Sequence, residues 1–197
     1  MDKHSSIDLD SIRNITVSGR IASGATTLAQ KLAEKLNWKM LDGGALFRKI
    51  ASEAGHSIVD TKKRPDHFDL EYENRIKEML KSESHQIVQS HLAGFDAERI
   101  DGVFKILVIC EDETGEDKTD IRIDRIVNRD KVSVEEAKFE VKERERQHLE
   151  KFRRLYVQND QEWVYWDKKY YDLVINTYSH NQEETLRIAL ESIRYPQ

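Results

Sequence analysis

The residues best suited to chemistry in this 197-residue chain form one short run: Gly19, Arg20, Ile21, Ala22, Ser23, Gly24, Ala25, Thr26 and Thr27. Gly19, Gly24 and Thr26 keep the spacing of a loop whose backbone N–H groups surround phosphate oxygens and whose hydroxyl holds Mg²⁺. Ala25 takes the place where such loops carry a lysine. The backbone and the start of the following helix still attract an anion without that side chain. Arg20 offers a replacement charge from within the loop, or stands as a solvated surface arginine. Thr26 is the candidate Mg²⁺ ligand; the alternative is a hydroxyl that caps the start of a helix.

The elements around the run fit this chemistry. Ile15, Thr16, Val17 and Ser18 read as a buried strand rich in β-branched residues. After Thr26, leucines at 28, 32 and 36 with Ala29 and Ala33 mark the apolar stripe of an amphipathic helix. Further strands are expected at residues 38–41, at Ile87 and Val88, at residues 104–110 and at residues 173–175. Helices are expected after the turn Asp42, Gly43, Gly44 and over residues 68–80. Strands alternating with helices predict an α/β fold with a doubly wound, mostly parallel, five-stranded sheet. Residues 14–197 read as one domain, preceded by a polar, poorly ordered lead-in at 1–13.

A charged stretch at residues 118–156 divides at the capping box Ser133, Val134, Glu135, Glu136 into one helix ending near Arg129 and a second after Ser133. The two predict a helical hairpin. Arg122, Arg125 and Arg129, at i, i+3 and i+7, fall roughly on one face. Arg144, Lys151 and Arg153 add positive charge from the second helix, and interleaved acids offer each of these groups a salt bridge instead. The aromatic residues Trp163, Tyr165, Trp166, Tyr170 and Tyr171 are expected to pack against the sheet rather than stack on bases.

Composition narrows the functions. The net charge of -5 argues against general affinity for nucleic acid or anionic lipid. The longest apolar run, residues 106–110, is too short to span a bilayer, and no signal peptide is visible at the N-terminus. The single cysteine, Cys110, reads as a buried structural thiol in a reducing compartment, which places the protein in the cytoplasm. The seven histidines follow no metal pattern, and no Ser/His/Asp set stands at motif spacing.

Four stretches resemble the cytidylate kinases, above all their archaeal-type branch. They are residues 15–36, the run Leu41-Asp42-Gly43-Gly44-Ala45-Leu46-Phe47-Arg48, the run Ser90-His91-Leu92-Ala93-Gly94-Phe95, and a set from Ser133-Val134-Glu135-Glu136-Ala137 through Tyr156 to Asp172-Leu173-Val174-Ile175-Asn176-Thr177. Together they span nearly the whole chain in family order. The resemblance implies a P-loop NTPase-like fold in which the hairpin is a lid closing over the nucleotides. It implies ATP with Mg²⁺ as phosphoryl donor, CMP or dCMP as acceptor, and catalytic charge from Arg122, Arg125, Arg129, Arg144 and Lys151. On the acceptor side it points to Asp42, Gly44, Arg48, Arg75, His91 and Gly94. The family usually has arginine at the position of His91, tryptophan at that of Phe95 and arginine at that of Lys151, and in its archaeal branch threonine at that of Ala25. The loop following the last strand, residues 176–181, is a place for an adenine contact.

Three readings stand at this point. The first is a kinase of CMP or dCMP. The second is a kinase of another nucleoside monophosphate or small metabolite. The third is a nucleotide-binding protein without catalysis. Each predicts a monomer that binds neither membrane nor nucleic acid.

Overall fold

The computed structural model describes residues 6–53 and 65–196, together with the backbone but not the side chains of Arg48, Ile50, Ala51 and Glu53. Five parallel strands form one sheet in the order β2-β3-β1-β4-β5. The central strand β1 (Asn14–Gly19) is buried at all six positions, as its run of β-branched residues requires. It pairs with β3 (Gln86–Gln89) on one side and β4 (Val103–Ile109) on the other. The edges are β2 (Lys39–Asp42) and β5 (Leu173–Asn176). The chain builds first to one side of β1 and then to the other, so the carboxyl end of β1 is a topological switch point, where such sheets bind ligands.

Helix α1 (Ala25–Leu36) leaves β1 through the glycine-bounded loop and buries Leu28, Ala29, Leu32 and Leu36 against one face of the sheet. It ends at Asn37, whose left-handed backbone (φ 53) breaks the helix. The short helix α2 (Gly43–Glu53) begins directly at β2's end: Asp42 Oδ1 accepts from the Ala45 N–H at 2.9 Å, so the expected turn is the helix's own first turn. Helix α3 (Asp66–Ser82) covers the other sheet face with Tyr72, Ile76 and Leu80, beside the single turn α4 (Ala93–Asp96).

The hairpin consists of α5 (Thr119–Asp130) and a continuous helical rod made of α6 (Val134–Lys138), a π-helical turn at Phe139–Arg144 and α7 (Glu145–Tyr156). Both halves of the Ser133–Glu136 capping box form, at 3.2 and 2.9 Å. Helix α8 (Gln182–Ser192), which sequence periodicity left unassigned, starts at a second capping box, Asn181 with Glu184, and packs on α1 and β5.

Two expectations are corrected. Residues 6–13 are not a loose lead-in: Ile7 N–H donates to Leu36 O at 3.0 Å, Trp38 Nε1 donates to Ile7 O at 2.8 Å, and Leu9 enters the core. Ile7, Leu9 and Ile12 are three apolar residues in a polar setting, and they cover the end of α1. The aromatic cluster packs, but against the lid: Trp163, Tyr165 and Tyr170 enclose Leu92 and Phe152 of α7. Cys110 is buried beyond the end of β4, and burial pushes its thiol pKa up. Among the described residues no helix is long and apolar enough to cross a membrane.

Candidate active site

The carboxyl ends of the strands open into one cleft of about 1820 Å³, larger than the space a single small ligand needs. The phosphate loop forms its floor, with every residue from Gly19 to Thr27 in the lining. Gly24 has φ 108, a backbone region that side chains disfavour, and from there the loop enters α1 with no side chain capping its first N–H groups. Those N–H groups and the helix dipole make this floor suited to an anion. Thr26 Oγ1 reaches Gln89 Oε1 at 3.3 Å, and Asp42 lines the same cleft from the end of β2. These hard oxygen donors beside the anion floor fit a Mg²⁺ ion, which takes one or two carboxylate ligands and keeps several waters.

The lid grips the loop through its backbone. Arg122 donates to Ile21 O at 2.8 Å and pairs with Glu145 Oε2 (2.9 Å) and Asp117 Oδ2 (2.8 Å). Glu145 Oε2 also accepts from Ile21 N–H at 3.1 Å. Arg20 completes the set: it meets Glu145, lies 3.2 Å from Asp117 Oδ1, and places its guanidinium 4.5 Å above the Trp166 ring. Two arginines and two carboxylates thus close a neutral network. Arg125 donates to the carbonyls of Ala22 (3.2 Å) and Ser23 (3.1 Å) and to Thr177 (2.9 Å).

The three α5 arginines share a face, as expected, yet they sit at different depths. Arg122 is 1% exposed and lies outside the cleft lining, where it braces the lid against the loop. Arg125 lines the cleft while fixing the loop from the side. Arg129 stands at the rim, largely exposed and paired with Asp130. Arg144 lines the cleft from the π-helical turn, beside Glu140. Lys151 lies outside the lining, buried, with its ammonium 2.6 Å from Asp69 Oδ2. Arg153 donates to Trp163 O at 2.9 Å and anchors the aromatic cluster. Arg20, offered as a replacement for the missing lysine, is engaged by carboxylates.

On the acceptor side, Asp42, Gly44 and His91 line the cleft. The Arg48 side chain lies outside the described residues. Arg75 is exposed on α3 away from the lining. Gly94 is also outside it: a Cβ there would stand 2.1 Å from the Tyr171 ring, so the glycine is needed for packing, and its N–H donates to Ser18 Oγ. His91 Nδ1 lies 3.0 Å from Gly19 O. A carbonyl only accepts, so Nδ1 carries the hydrogen. Burial holds the His91 pKa below its usual range, despite the raising influence of the Gly19 carbonyl and Glu145. His91 therefore serves as a neutral hydrogen-bonding ring rather than as a substitute positive charge.

Sequence reasoning missed Phe47, Asp69, Tyr72 and Glu73, which line the acceptor end. The spacing of 69, 72, 73 and 76 on one helix face was the available signal. It mixes acids with apolar residues and so reads as an ordinary amphipathic helix. The loop after β5 lines the opposite end through Tyr178, Ser179 and His180.

Comparison with known proteins agrees with this geometry. The family model described as "AAA domain" matches residues 15–150. A cytidylate kinase of Pyrococcus horikoshii is 32% identical over 182 residues, 91% of this chain and 87% of the relative. A cytidylate kinase of Saccharolobus islandicus is 30% identical over 179 residues, 89% and 88% of the two chains. Among solved structures, a shikimate kinase from Acinetobacter baumannii superposes with a TM-score of 0.57 at 16% identity, covering 93% of each chain, a likeness of fold. The chain belongs to the cytidylate kinase family and is an ATP-dependent phosphotransferase.

Proposed function

We propose that the protein transfers the γ-phosphoryl group of ATP to CMP or dCMP. The observation that carries this reading is the single cleft with the phosphate loop at its centre and two differently built ends. The acceptor end lies over β2 and β3, and the other end over β5. The two edges are four strand spacings, roughly 19 Å, apart. That distance suits two nucleotides meeting phosphate to phosphate above the loop. ATP is assigned to the β5 side, with its adenine near residues 178–181 and its phosphates on the N–H groups of residues 19–27. The monophosphate is assigned to the side of Asp42, Gly44 and His91.

Phosphoryl transfer asks the protein mainly to align two oxygens and neutralise developing charge. The N–H groups at the start of α1 hold the donor phosphates. Arg129 and Arg144 bring positive charge from the lid, replacing the loop lysine that Ala25 lacks. Arg125 keeps the carbonyls of Ala22 and Ser23 turned away from the phosphates. Mg²⁺, when bound, neutralises phosphate charge, and Thr26 and Asp42 are the residues that would hold it. The lid, fixed to the loop through Arg122 and Glu145, excludes water that would hydrolyse the triphosphate. A panel of nucleoside monophosphates with Mg²⁺ and ATP, read by ADP formation, tests the proposal. Turnover strongest with CMP or dCMP supports it, and no turnover with any monophosphate refutes it.

A further inference from the structure

The loop after β5 turns around one carbonyl. Asn176, the last residue of the strand, is fixed by its own side chain: Nδ2 donates to Glu111 O at 2.6 Å, and Oδ1 accepts from the N–H groups of Glu111 and Tyr178, each at 3.1 Å. The Asn176 carbonyl lies 2.9 Å from His180 Nδ1. Ser179 Oγ, 3.1 Å from the same nitrogen, donates to that carbonyl as well, at 3.4 Å. A carbonyl only accepts, so the neutral ring carries its hydrogen on Nδ1 and keeps Nε2 as a lone-pair acceptor. His180 is half-buried and lines the cleft, and none of the described residues hydrogen-bonds to Nε2. Two phenyl or phenol rings stay exposed among the described residues, Tyr178 beside it and Phe139 on the lid, and both border this cleft. Ligand clefts combine such apolar faces with a few fixed polar atoms.

We propose that His180 reads the base of the phosphoryl donor, with Nε2 accepting a hydrogen bond from the 6-amino group of adenine while Tyr178 offers its ring face. This inference rests on the assignment of ATP to the β5 side of the cleft made above. Guanine carries a carbonyl at position 6, so two acceptors meet there without a hydrogen between them. The imidazole cannot adapt without loss. Moving the hydrogen to Nε2 sets the bare lone pair of Nδ1 against the Asn176 carbonyl, and Glu111 and Tyr178 hold Asn176 in place. The backbone of Asn176, acting through His180, thus makes the donor end selective for adenine over guanine.

Three donors separate the possibilities in the full chain with Mg²⁺ and CMP: ATP, GTP, and the triphosphate of purine riboside, which is ATP without its 6-amino group. The wild type is expected to use ATP about tenfold or more efficiently than either of the others, mostly through the donor KM. His180→Gln, whose amide turns either its oxygen or its N–H to the base, is expected to bring ATP and GTP within about threefold of each other. Equal use of ATP and the purine riboside analogue, or an unchanged ATP to GTP ratio in the variant, overturns the assignment while leaving the kinase reading intact. No turnover of any nucleoside monophosphate with ATP overturns both. If His180→Gln fails to fold, the comparison of donors in the wild type decides alone.

Discussion

Arg122, on the lid helix α5, donates a hydrogen bond of 2.8 Å to the carbonyl of Ile21 in the phosphate loop, and its side chain is 1% exposed. A charge this deep is tolerable only because Glu145 and Asp117 both contact it. The pairing joins the lid to the loop. Removing one partner leaves uncompensated charge in the interior. Arg122→Ala is therefore expected to destabilise the fold by roughly 3–5 kcal/mol, measured by denaturant titration. A loss below roughly 1 kcal/mol, the scale of an exposed pair, would show that the network is loosely solvated.

Thr26→Ala separates binding from turnover. The N–H groups that hold phosphate belong to the backbone and survive the change. The hydroxyl, 3.3 Å from Gln89 Oε1, is lost. Thr26→Ala is expected to lower kcat by about 100-fold or more while ATP still raises Tm. Steady-state kinetics beside thermal melts check this, and near-normal kcat would remove Thr26 from the metal site.

Glu73 and Asp96 give stability a pH dependence of definite sign. Burial raises both pKa values in the folded chain. The folded state thus holds more protons than the unfolded chain above the ordinary carboxylate range of about 4. Stability is then fully present at low pH, as far as this pair is concerned, and falls as pH rises towards the folded pKa values. Glu73→Gln is expected to flatten that decline above the ordinary carboxylate range in denaturant titrations. An unchanged slope would mean that the pair ionises freely.

Gly94→Ala tests whether this glycine packs or binds. A Cβ would stand 2.1 Å from Tyr171 Cε1. The expected loss is about 1–3 kcal/mol of stability, with KM for the acceptor unchanged. A raised KM at unchanged stability would return Gly94 to the acceptor site.

The sheet and the loop were legible because their signals are local. A β-branched run bounded by Gly19, followed by leucines four apart, dictates strand, loop and helix within about twenty residues. The lid's division was legible for the same reason, since Ser133 and Glu136 cap a helix start by themselves. What each arginine does was not. Arg122, Arg125 and Arg129 have similar spacing and chemistry in the sequence, but their depth depends on Glu145 and Thr177, which are distant in the chain. Glu73 was hidden likewise, because the carboxyl beside it, Asp96, comes from another element. Lys151 has the composition of a catalytic cation, and only the fold reveals Asp69 beside it.

The most direct test of the account is to follow the phosphoryl group itself. With ATP labelled in its γ-phosphate, Mg²⁺ and CMP, the account predicts labelled CDP and ADP formed one to one, with little free phosphate. Labelled free phosphate without CDP, or no consumption of ATP with CMP or dCMP, would contradict it.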